Sequence, residues 1–78
     1  MIVLMNLSEK TKNYLIYSFG NDEKNLDGKV KIPLDNPKNF EVLKESKFLS
    51  NECMMRGLVK AIRFIQNGEI KECIDYIS

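Results

Sequence analysis

The sequence predicts an α+β fold, with a small antiparallel sheet of about three strands packed on one main C-terminal helix. Three observations carry this. Residues 14–19 (Tyr-Leu-Ile-Tyr-Ser-Phe) are dense in aromatic and β-branched side chains. Residues 29–34 alternate, with Val30, Ile32 and Leu34 on one face and Lys29 and Lys31 on the other. Residues 51–67 repeat apolar side chains at helical spacing.

The five apolar residues that open the chain, Met1 to Met5, lack a basic flank and a small-residue cleavage site. They do not read as a signal peptide. Residues 6–13 are polar and are expected to lead into the first strand rather than form one. That strand, 14–19, stops at Gly20. A polar stretch follows and ends in Asp27-Gly28, a pair suited to a tight turn. The two strands are expected to form a hairpin with a long loop. Pro33 lacks a ladder donor, so the second strand ends there or lies at an edge.

Residues 40–44 are short, with Phe40 and Val42 on one strand face, and read as a third strand. The helix has the clearest signals. Ser50 is a good N-cap, and Glu52 stands where the helix dipole favours an anion. Leu49 and Met54 have the spacing of a hydrophobic staple. Met54, Leu58, Ala61, Ile62 and Ile65 form the apolar stripe, and Gly68 follows as a stop. Gly57, inside the helix, costs about 1 kcal/mol against alanine; a close approach of sheet or partner backbone would explain its presence. In the tail, Ile70, Cys73, Ile74 and Ile77 fit a helical face, the preferred reading. A last strand over 75–78 is the alternative.

The 78 residues make a single small domain. A domain of this size buries only about 60% of its unfolded surface, so association with a second copy would stabilise it. Lys and Asn are abundant, at 10 and 8 residues, without forming a tract. The net charge of +1 gives no overall field towards nucleic acid or membrane. No run approaches the ~18 apolar residues of a membrane span, and a cytoplasmic location is expected. No cofactor is implied.

The absence of histidine removes Ser-His and Cys-His dyads and histidine-containing zinc sites. Cys53 and Cys73 are expected to be two free, buried thiols. Cys53, third in the helix and one turn from Arg56, is the candidate reactive thiol; its plainer role is a small apolar residue at the core edge. The loop 23–28 imitates part of a calcium-binding loop, but Leu34 stands where the bidentate glutamate belongs. No metal site and no enzymatic activity are expected.

Arg56, Lys60 and Arg63 fall at i, i+4 and i+7 and line one side of the helix. They are the candidate nucleic-acid-binding residues, since such a stripe can follow a phosphate backbone. Tyr14, Tyr17 and Phe19 suit a base-stacking platform or, more simply, a core. Met55, Val59 and Gln66 broaden the apolar side of the helix beyond what a small sheet can cover. With an edge strand, that surface favours a homodimer or a protein partner. The leading expectation is therefore a small non-catalytic protein-interaction or self-associating domain, with a nucleic-acid-binding module as the alternative.

Overall fold

The computed structural model describes residues 2–77. Its elements, in order, are β1 (Ile2–Lys10), β2 (Tyr14–Gly20), β3 (Gly28–Pro33), β4 (Glu41–Lys44), α1 (Asn51–Gln66) and β5 (Cys73–Ile77). The strands form one antiparallel sheet in the order β4-β3-β2-β1-β5. The α+β class stands, but the sheet has five strands where about three were expected. The chain leaves the sheet at the β4 edge and re-enters it at the β5 edge. The helix between them therefore crosses one face, and its backbone approaches β1 and β5 most closely.

Two strands depart from the sequence reading. Residues 6–10 belong to β1 and do not form a polar lead-in. Their polarity has a local cause: the burial of β1 ends at Leu7, where the register slips by one residue, and the rest of the strand runs exposed. A bulge of this kind turns a strand out of its regular alternation. The tail is the second correction. Residues 73–77 are extended and pair with β1, from Asn6–Cys73 to Ile2–Ile77. The helical spacing of Ile70, Cys73, Ile74 and Ile77 is incidental; Ile74 enters the core while Cys73 and Ile77 stay exposed. Ser78 lies outside the described residues, as does Met1.

The inner face of the sheet supplies Val3, Met5, Leu15, Tyr17, Phe19, Val30, Ile32 and Ile74, and the helix supplies Met54, Leu58, Ala61, Ile62 and Ile65. The strand contributors alternate along each chain, as a one-sided sheet requires. The helix buries the stripe that its spacing predicts. Ser50 Oγ accepts from the Cys53 N–H at 3.2 Å and closes its first turn. Gly68, at φ +79°, ends it: its N–H donates to the Ile65 carbonyl, and that of Glu69 to the Phe64 carbonyl. This is the left-handed C-terminal stop that glycine makes at little cost.

Gly57 has the role its position requires. A methyl group there would come within 2.5 Å of Val3 Cγ1 and 3.1 Å of Val3 Cβ. The bare backbone lets α1 settle onto β1. That contact sets the height of the helix beside β5, the neighbouring edge strand.

Candidate functional site

The alternation of an antiparallel ladder decides which β5 backbone groups are free. The Leu7 N–H donates to the Glu72 carbonyl at 2.7 Å. Glu72, Ile74 and Tyr76 therefore direct their N–H and C=O groups to β1. Cys73, Asp75 and Ile77 direct theirs away from it, and among the described residues no strand lies beyond β5. A free edge of this kind is a template for another strand.

Alongside that edge runs one side of α1. Helix and strand together enclose a groove of about 620 Å³ lined by Met55, Arg56, Val59, Lys60, Arg63, Tyr76 and Ile77. Arg56, Lys60 and Arg63 thus meet at one concave surface. Met55 and Val59, apolar and more than a third exposed, stand between them. Among the described residues, no acidic side chain is part of the groove lining.

The three cations differ in their engagement. Lys60 Nζ donates to the backbone carbonyl of Asp75 and lies 3.7 Å from its carboxylate Oδ1. It therefore occupies an outward acceptor of the free edge. Arg56 sits beside the Tyr76 hydroxyl, whose hydrogen bond holds the guanidinium pKa above its ordinary value; Glu52, one turn earlier, adds to this. Among the described residues, neither Arg56 nor Arg63 forms an ion pair. Asp75, Tyr76 and Ile77 could be assigned to the site only once the tail was known to be a strand. Its edge position depends on pairing with β1, about seventy residues away in sequence.

Tyr17 and Phe19 are core residues. The Tyr17 hydroxyl donates to the Lys71 carbonyl, tying the central strand to the approach to β5. Burial, followed by the Cys73 thiol, holds the Tyr17 pKa above its usual range. Tyr14 is held by Glu9, which accepts its hydroxyl at 3.0 Å, and by Lys31, whose ammonium lies 4.3 Å from the ring centre. The three aromatics do not make a common stacking platform.

Cys53 is half-buried at the margin of the core and Cys73 is exposed; both are free thiols. The expectation of two buried thiols fails at Cys73, because the strand places it on the solvent side of the sheet. The Cys53 N–H is taken by Ser50, so it is not directed to the thiol.

The loop after β2 also serves structure. Asp22 accepts from the Lys24 N–H, while Asp27 accepts from Ser46 Oγ at 2.6 Å and from the Lys47 N–H at 2.9 Å. These bonds hold the Asp27 carboxyl below its ordinary pKa. They tie this loop to the segment between β4 and α1. A second concavity, about 540 Å³, lies under the loop and includes Glu23, Leu26, Cys73 and Asp75. Among the described residues no three acidic or thiol side chains converge as a metal site, and no helix is long and apolar enough to cross a membrane.

Comparison with known protein families, curated proteins and solved structures finds no match to this chain.

Proposed function

We propose that the chain is a non-catalytic protein-binding module whose groove between α1 and β5 receives a segment of a partner protein. The observation that carries this reading is the pairing of exposed apolar side chains with three cations, of which Arg56 and Arg63 form no ion pair among the described residues, along a free strand edge. Apolar contact supplies affinity, and the cations select a partner of opposite charge.

A second copy fits this face poorly. Symmetric pairing of two β5 edges sets like surface against like. It would bring two sets of Arg56, Lys60 and Arg63 together. Self-association through this groove is therefore disfavoured against an acidic partner. The same three cations suit a phosphate backbone, but Tyr17 and Phe19 are buried in the core and offer no stacking face beside them.

Selection of displayed random peptides against the 78-residue chain tests the reading. Enriched peptides should perturb the amide resonances of Val59, Lys60 and Tyr76, and a Met55→Glu/Val59→Glu variant should lose them. Peptides that bind only elsewhere, or no enrichment at all, would count against it. Oligothymidylate binding at this groove in place of peptides would favour the nucleic-acid alternative.

A further inference from the structure

We infer that the β5 edge takes an acidic segment of a partner as a sixth strand, and that Lys60 is the gate that selects for its charge; this rests on the binding role proposed above. The argument begins with the Asp75 carbonyl. It points away from β1, so an incoming strand needs it as an acceptor. Lys60 Nζ holds that oxygen in the free protein. A lysine laid across an edge is a common defence against unwanted strand pairing.

Removing this guard has a chemical requirement. The ammonium must leave Asp75 and find another anion. A neutral or basic strand offers none, so its backbone competes with Lys60 for the same oxygen at a loss. An acidic strand offers a carboxylate. Lys60 then swings from the edge to the partner, and the partner's N–H takes over the Asp75 carbonyl. The N–H groups of Asp75 and Ile77 donate to the partner's carbonyls.

The spacing of the cations agrees with an extended ligand. At about 1.5 Å per residue, Arg56 and Lys60 are separated by roughly 6 Å along the helix and Lys60 and Arg63 by roughly 4.5 Å. Side chains on one face of a strand recur about every 6.8 Å. Carboxylates at alternate positions of an added strand therefore fall within reach of successive cations. Glutamate stems would lie over Val59 and Tyr76, covering the apolar part of the groove.

The test uses amide hydrogen exchange on the 78-residue chain with four blocked octapeptides. Alternating glutamate and threonine is the acidic strand. Lysine–threonine and glutamine–threonine change its charge, and glutamate–proline keeps the charge but cannot form a ladder. The glutamate–threonine peptide should slow exchange at Cys73, Asp75 and Ile77 at least tenfold, and the other three should not. In Lys60→Met, and in Lys60→Gln as a second variant, the preference for glutamate over glutamine should fall at least fivefold. No protection by the acidic peptide, or equal protection by glutamate–proline, overturns the inference. So does an undiminished glutamate preference in both variants. Display-selected peptides that occupy the groove without protecting these amides would remove the sixth strand and leave the binding role standing; failure of every peptide at the groove removes both.

Discussion

β4 leaves its outer edge to solvent on a four-residue strand, whereas β5 carries its outer edge beneath the flank of a helix. β4 is short, mostly exposed, and shifted in register where Lys29 and Lys44 pair. Shortness and charge are enough to discourage pairing there. β5 is joined along five residues to β1, and a lysine side chain reaches its outward carbonyl. The difference teaches that an edge can be closed by being too poor a template or by being guarded. Only the guarded kind retains a regular strand that a ligand can use.

The contrast is most severely tested at Gly57, which seats α1 on β1 next to the guarded edge. Gly57→Ala forces a methyl group against the stiff Val3 side chain. Overpacking costs roughly 1–3 kcal/mol, and better helix propensity returns about 1. Urea denaturation should show a net loss of up to about 2 kcal/mol. The Val3→Ala/Gly57→Ala double variant should be more stable than the sum of the two single losses, because the added methyl then meets space. A gain of about 1 kcal/mol in Gly57→Ala, the full helix-propensity term with no clash against it, would mean that the helix does not bear on the β1–β5 side.

Tyr17→Phe comes next. It removes the hydroxyl that anchors Lys71, just ahead of β5. The expected loss is about 0.5–1.5 kcal/mol. The raised Tyr17 pKa also fixes the sign of a pH effect. In the unfolded chain tyrosine releases its proton near pH 10, and in the folded chain later. Stability is therefore full below pH 10 and falls as pH rises from there through the folded value. Tyr14, also raised, contributes in the same direction. Tyr17→Phe should flatten this alkaline decline in part, as read by urea midpoints between pH 9 and 11. An unaltered slope would detach Tyr17 from it.

Asp27 belongs to the other side of the molecule, where it ties the β2–β3 loop to the segment after β4. Its lowered pKa means a contribution present above the unfolded value near 4, lost as pH falls through the folded value. Asp27→Asn should lower the thermal midpoint slightly at pH 7, and the difference should shrink as the pH is taken below about 4. A loss that persists at low pH would show that the charge is not what holds Ser46 and Lys47.

What could be read in advance divides along the same line as the two edges. The helix, its cap and its buried stripe were legible because Ser50, Met54, Leu58, Ile62 and Ile65 encode them within one segment. The β2–β3 hairpin was legible for the same reason, and so was the role of Gly57. β5 was not. Its five residues match a helical spacing as well as a strand, and only the vacant side of β1 decides between them. β1 itself was missed, because Ile2–Met5 are apolar without alternation and the polar residues after the bulge at Leu7 lack a buried face. The cations Arg56, Lys60 and Arg63 were visible as a stripe, but their pairing with Tyr76 and Asp75 required the distant strand.

The smallest expected effect is at Leu43, on the undefended edge. Leu43 is 47% exposed on β4 and outside the buried core. Leu43→Lys should change stability by no more than about 0.5 kcal/mol, as is usual for exposed positions. It should also leave peptide protection of Cys73, Asp75 and Ile77 unchanged, because three strands separate β4 from β5. Charge added at one edge acts on the other through solvent, where interactions are largely screened beyond about 10 Å at moderate salt. Weakened protection at β5 would therefore reveal a mechanical link across the sheet, and the two edges would have to be understood as one device.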